Sequence, residues 1–464
     1  MEQLLADLAA RSPEWLEARY QERRSLALSV RQGHVEQCAV GCTRGVGLRA
    51  LAQGSFGFAS TTDLSESALQ RTAVVARELA GAAAATRRGP AVRLAPLAPL
   101  QGAFPVPTND PLSAHPLEEK LAWVRRLDEA VRAASPAMVS SSVTYSETEE
   151  DRILATSGGT LVHVLDARPS LRVLAVAGRG GEQTMGHATV GVSGGWAELV
   201  AAREPGALVE EAVRIAIDQL SAPHAQGGSA TVVLDPELVG TLCHEAIGHT
   251  VEADIVLGGA ITAGKLGTRV ASDLVTMCDA GLPPGAPHVV GRLPVDDEGV
   301  AAQRTVLIER GFLKSYLHNR ETAERYGVAP TGNARAFLFS DEPIIRMTNT
   351  YIERGDTPLE SVFAGVTDGY YLRGFAMGGQ ADSSAEFMFG VREAFRIVRG
   401  KLAGRVRGVT ISGNAFDVLQ SIDAVAEDFA WEYGAGMCGK GQPAKVDAGG
   451  PHIRCRITLG GRQS

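Results

Sequence analysis

The chain reads as an α+β protein in two parts: an N-terminal domain of antiparallel hairpins flanked by helices over residues 1–226, and a β-rich, barrel-like C-terminal domain over 227–464. Three observations predict this. At 464 residues the chain is longer than a single ordinary core requires. Its first half alternates helix-period with strand-period stretches, whereas the second, past one helix, is rich in strands and glycine. Glycine, at 53 residues, is well above its usual share and aromatics make up only 5%, which suits many turns and close backbone approaches.

Taken in order, residues 1 to about 24 are predicted as an amphipathic helix. Strands follow at 26–30, 34–40, 45–50 and 54–58, separated by glycines, as a meander of hairpins. Asp63, with Glu66 three residues on, is expected to cap an alanine-rich helix reaching about Ala84. The proline-rich stretch from Pro90 to Pro116 reads as surface loop. A helix at 117–134, strands at 139–143, 152–156, 159–165 and 170–177, and a helix at 205–221 complete the first half. Helix, hairpins and helix thus occur twice, the outline of a duplicated unit without convincing identity between the copies. Past residue 227 helices should be few, at 321–326, 358–363 and 415–421.

A net charge of −8 with mixed signs and no basic run argues against a nucleic-acid surface and leaves peptides open. Glu2, Asp7 and Glu14 interrupt the leucines near the start, so no signal-peptide core is expected. No apolar run approaches the roughly 20 residues of a membrane span, so a cytoplasmic location is expected. The six cysteines form no CxxC pair, so disulfides are not expected and each thiol is free to bind metal. Cys38 and Cys42, with only His34 near, read as small buried side chains.

The chemistry centres on HEAIGH at 244–249. Residues 230–234 form a short apolar run that reads as a buried strand, and Asp235 with Pro236 then supplies an N-cap and a first-turn proline. The helix should run to about Val251. It would carry His244 and His249 as zinc ligands and Glu245 as the base beside the metal, after the manner of the HExxH signature. Here the histidines are five apart instead of four, which turns them roughly 140° from each other on an ideal helix. Gly248 offers a remedy, because a π-bulge there would bring both imidazoles to one ion. An ordinary polar helix would satisfy the same pattern.

A third ligand is needed. The rivals are Glu252, Asp254, Cys278, His288, His318, Cys438 and Cys455, and the residues alone divide between Glu252 and a cysteine. Cys243 points to another helix face and reads as packing.

Beyond HEAIGH, the runs VDDEG (295–299), QRTVLIE (303–309), APTGN (329–333), RMTNT (346–350), GGQAD (378–382) and GMCGK (436–440) follow one another, with GFAST (57–61) far upstream. In this order they resemble the TldD/PmbA family of zinc metallopeptidases, and specifically its motif-bearing, TldD-type subunit. The resemblance implies a cytosolic metallopeptidase that pairs with a TldE/PmbA-type companion lacking the motif, or with itself. It also implies Cys438 as third ligand, and substrates among leader regions and short or unfolded polypeptides. Zinc accepts imidazole and thiolate together, leaving a fourth position open.

Arg346, Asn349, Asn333 and His318 lie in or near these runs and are candidates to hold substrate or its developing anion. The polar-glycine stretches at 331–333 and 378–380 could let a peptide lie along a strand edge, or simply make tight turns. Two other classes stay open: a zinc-scaffolded peptide-binding protein without turnover, and a zinc amidohydrolase of small amides.

Overall fold

A computed structural model of the protein describes residues 1–378, 384–434 and 436–461. Of the GGQAD run only Gly378 falls within them, so the reading of 378–380 as a peptide-bearing edge lies outside the described residues. Strand accounts for 42% and helix for 25% of the structure, an α+β composition.

The first correction falls at the N-terminus. Helix α1 covers only Glu2–Ala10, and Trp15–Arg31 is strand β1. Leu16, Ala18 and Tyr20 point to one face and are buried beneath helices, together with Leu5, Leu48 and Leu69. Glu17, Arg19 and Gln21 point to the other and are buried as well. With polar residues hidden on the second face, the segment lost the solvent-facing alternation that marks a half-buried strand.

Strands β2 (His34–Ala52) and β3 (Ser55–Thr61) complete the first meander, and α2 (Glu66–Thr86) covers it. Ser65, not Asp63, is the N-cap, accepting from the Ala68 N–H, while Asp63 accepts from the Ser65 N–H at 3.0 Å. Within the proline-rich stretch, β4 (Gln101–Pro105) pairs parallel with residues 161–165, so this segment is partly sheet edge.

The second meander consists of β5 (Met138–Thr156), β6 (Leu161–Arg179) and β7 (Glu182–Gly191), with α3 (Leu117–Ala133), α4 (Trp196–Ala202) and α5 (Pro205–Ser221). Strands read as fragments in the sequence are long and continuous, and β7 and α4 had been missed. β1 pairs antiparallel with β5, which joins both meanders into one seven-stranded sheet. Helices cover one face of it. Its polar face meets the C-terminal half.

That junction is tied by buried charges. Arg49 on β2 contacts Glu17 at 2.7 Å and Glu298, in the VDDEG run, at 2.7 Å. One guanidinium between two carboxylates satisfies groups that would be costly to bury alone.

In the C-terminal half five strands close into a barrel, as expected. β8 (Gly228–Leu234) pairs with Asp368–Gly378 and with Ile453–Gly460, and the circuit continues through Glu386–Val398 and Thr410–Asn414. Closure leaves no free edge among these five. Beside the barrel lies a six-stranded sheet that includes Met277–Ala280, Asn349–Ile352 and Asp447–Gly450. The three predicted helices are present at Arg320–Tyr326, Leu359–Ala364 and Ala415–Gln420. Among the described residues no helix is long and apolar enough to cross a membrane.

Candidate metal centre

The HEAIGH segment leaves the barrel directly. Asp235 follows β8, and its carboxylate accepts the Leu238 N–H at 3.0 Å, capping α6 (Pro236–Thr241) ahead of Pro236. Val239, Leu242, Cys243 and Ile247 are fully buried in one apolar core with barrel residues such as Val232, Phe389 and Ile457. Gly240 lets the helix lie against the neighbouring sheet, because a Cβ there would stand 2.7 Å from the Gly449 nitrogen.

From Leu242 to Ile247 the helix is π-wound, and the Gly248 N–H bonds the Cys243 carbonyl five residues back. A tighter turn, Gly248–Val251, follows. The wider winding brings His244 and His249 together, with ring centroids 5.5 Å apart. Gly248 has an ordinary helical φ of −54°. Its lack of a side chain serves packing, since a Cβ would fall 1.9 Å from the Met347 sulfur.

Cys438 arrives from the hairpin formed by Met437–Lys440 and Gln442–Lys445. Its Sγ lies 3.1 Å from His249 Nε2. One donor atom from each of His244, His249 and Cys438 lies within 4.8 Å of the others. Glu245 Oε2 is 4.0 Å from His249 Nε2.

His244 is 4% exposed, and neither of its ring nitrogens has a hydrogen-bond partner. A buried polar group left so costs about 1–3 kcal/mol. A metal ion held between the imidazoles and the sulfur removes that cost, so the donor set fits one.

The electrostatics agree. Burial raises the thiols of Cys243, Cys278 and Cys455. Burial also acts on Cys438, but the two histidines override it and bring the thiol down to about 5. Burial opposes charge on His249, yet Cys438 and Glu252 prevail and raise it to about 10. A thiolate ready at neutral pH is what a soft metal site requires.

Glu252 is not aimed at the point where the three donors meet. Its Oε1 faces the other nitrogen of His249, Nδ1, at 3.5 Å. Its Oε2 takes the Lys440 ammonium at 2.5 Å, and Lys440 also reaches both Asp254 oxygens and the Ile345 carbonyl. Glu252 thereby orients the His249 ring, and Lys440 fastens the Cys438 hairpin to the helix. Sequence reading gave Lys440 no role, although it stands two residues from Cys438 and three of its four acceptors are only charged or polar groups of the motif helix and its continuation.

The remaining candidates fall elsewhere. His288 Nδ1 lies 2.9 Å from the Ser193 carbonyl. Cys38 and Cys42 are exposed on β2, not buried. Asn333 donates to Asp279 and to the Arg346 carbonyl, and Asn349 to the Ala280 carbonyl. Arg346 donates to the Gln442 carbonyl at 2.6 Å, and His318 Nδ1 lies 3.1 Å from the Thr322 hydroxyl. All four are at most 3% exposed, and these bonds hold strands and turns around the centre.

The chain is a member of the PmbA/TldD metallopeptidase family. Family models described as PmbA/TldA metallopeptidase domain 1, central domain and C-terminal domain match residues 16–80, 110–220 and 227–461. A metalloprotease of Methanothermobacter thermautotrophicus is 36% identical over 452 residues, 97% of this chain and 95% of the relative. A protein of Saccharolobus solfataricus named zinc metalloprotease TldD homolog is 31% identical over 355 residues, 74% of this chain and 76% of the relative. The crystal structure of TldE from Thermococcus kodakarensis aligns over 99% of both chains with a TM-score of 0.77 at 18% identity, a likeness of fold.

Proposed function

We propose that this protein is a zinc-dependent metallopeptidase in which His244, His249 and Cys438 hold the ion and Glu245 is the catalytic base. The observation that carries this reading is the convergence of three donors from two distant segments, with a glutamate beside them and a buried imidazole otherwise unpartnered. When bound, zinc would supply Lewis acidity to water and to the scissile carbonyl. Glu245 takes a proton from the attacking water and delivers it to the leaving amine. Glu252 holds His249 in the orientation that turns Nε2 towards Cys438, and Lys440 keeps the hairpin in place.

The substrates are short or unfolded polypeptides, including leader or propeptide segments, which reach a recessed centre as folded domains do not. His318 and Arg346 are the first residues to test as donors to the bound peptide. Asn333 and Asn349 shape the surrounding backbone. The protein acts in the cytoplasm with a TldE/PmbA-type companion or a second copy of itself. An S. solfataricus relative named a zinc metalloprotease and a structural neighbour named TldE support the metal and the pairing.

A Glu245→Gln variant, assayed with an unstructured peptide panel and with small amides, tests the role of the base. It should keep its zinc by elemental analysis and lose peptide hydrolysis by about 10²-fold or more. Unchanged turnover would discard the base, and a preference for small amides would make the protein an amidohydrolase. Cys438→Ser should lose both zinc and activity; zinc retained there would pass the third position to Glu252.

A further inference from the structure

A second polar cluster lies on the polar face of the N-terminal sheet, where it meets the C-terminal half. Strand register puts it there. Arg23 stands opposite Glu150 and Glu150 opposite Asp166, while Gln21 stands opposite Arg152 in the next row of the same face. Arg168, two residues past Asp166, shares that face. Arg335, Asp297 and Lys445 close over it from the C-terminal side, around a cavity of about 20 Å³. That is room for a single water-sized group, such as one oxygen of an oxyanion.

Cations outnumber carboxylates here, and several of their donor atoms have no acceptor. Lys445 Nζ has no hydrogen bond, and its nearest carboxylate oxygen, on Glu150, is 3.8 Å away. That same oxygen is shared with Arg23 at 3.6 Å. Arg23 Nη1, Arg152 Nε and Arg168 Nε are likewise buried without an acceptor. Both Arg335 amino groups are spent on the carbonyls of Met347 and Lys445, so that guanidinium brings charge without a neutralising carboxylate. Asp297 pairs with Arg152, and Asp166 with Arg168. Lys445 is 7% exposed, and an isolated buried ammonium is among the costliest groups to hold.

We propose that this cavity is a binding site for a small oxyanion of the phosphate or carboxylate class, held by Arg152, Arg168 and Lys445. The anion would provide the acceptors these donors lack. The site is separate from the proposed metal centre, since Lys445 and the Ala444 that pairs with Cys438 are consecutive in their strand and project to opposite faces of the hairpin. The field of the cluster shows in its own members: burial pulls Lys445 down to about 7, with Arg168 and Arg23 adding to it and Glu150 resisting.

Isothermal titration of the full-length chain at pH 6.5, in a chloride background of fixed ionic strength, tests the proposal with sodium phosphate, N-acetylglycine and N-acetylglycinamide. Phosphate or N-acetylglycine should bind saturably and the uncharged amide should not. Phosphate alone would point to a free oxyanion, and N-acetylglycine to a chain-terminal carboxylate. Arg168→Gln and Lys445→Gln should each weaken binding by about tenfold or more, the loss expected for one charged hydrogen bond. Absence of saturable heat, or binding unchanged in both variants, overturns the proposal. A second readout needs no ligand: Lys445→Met should raise Tm in chloride buffer, because an excess cation is removed. A lowered Tm would mean a closed ion-pair network and would also overturn it.

Discussion

One hairpin carries two lysines in opposite circumstances, Lys440 half-buried and Lys445 buried. Lys440 donates to two carboxylates and a carbonyl, all within 3.0 Å, whereas Lys445 has no acceptor within hydrogen-bond reach. The same ammonium is a fastener at one end of the ribbon and an unmet demand at the other. Burial alone distinguishes them poorly, with side chains 19% and 8% exposed. Counting acceptors separates them at once, and the same count singles out His244.

The contrast can be broken most strongly at Lys440. Lys440→Met leaves Glu252, fully buried, with only His249 beside it, and should destabilise the metal-free protein by about 3 kcal/mol in denaturant unfolding. The proposed metal site should also weaken, by about 10- to 100-fold in a chelator competition, as its orienting group loses its anchor. Equal stability would show that the lysine merely decorates the surface.

Gly248→Ala sharpens the comparison by perturbing the centre through packing alone, with no charge altered. Its Cβ would overlap the Met347 sulfur, a strain of about 1–3 kcal/mol. Met347→Ala should relieve part of that cost in the double variant, and simple additivity would mean that the two residues do not press on each other.

The smallest effect has the opposite sign. Lys445→Met should stabilise the protein by about 1 kcal/mol at pH 6.5 in chloride. Because the folded-state pKa of Lys445, about 7, lies below its ordinary 10.5, the cost of its charge is fully present below pH 7. Between pH 7 and 10.5 the unfolded chain holds the extra proton, so wild-type stability gains on the variant as pH rises. The groups bearing on Lys445 are Glu150, Asp166, Arg168 and Arg23. The stability of the two proteins should therefore draw together above pH 7 and then cross in favour of the wild type.

How much of this was legible in the sequence depended on how local its causes are. The helix at Pro205–Ser221 carries its proline at the start and its apolar period within it, and it was read to the residue. Trp15–Arg31 was misread because the partners that make Glu17, Arg19 and Gln21 buriable are Arg49, the Asp341 carbonyl and the Phe337 carbonyl, two of them over three hundred residues away. HEAIGH was visible, and so was the need for distortion within it. Cys438 came from family resemblance, since nothing local tells one cysteine from another. Lys440 and the Lys445 cluster were invisible, because their meaning lies in what a hairpin meets after the whole chain has folded.

The π-wound turn has a mechanical consequence of its own. It acts as a phase shifter: one additional residue per turn delays everything downstream by about 100° relative to a regular helix. Rewinding the same residues as a regular helix would be a gain in local regularity. It would also rotate the continuation of the helix, so that His249 would turn away from His244 and Glu252 and Asp254 would no longer present themselves to Lys440. The irregular turn and the hairpin's anchorage are thus geared together, and neither can be regularised without throwing the other out of mesh.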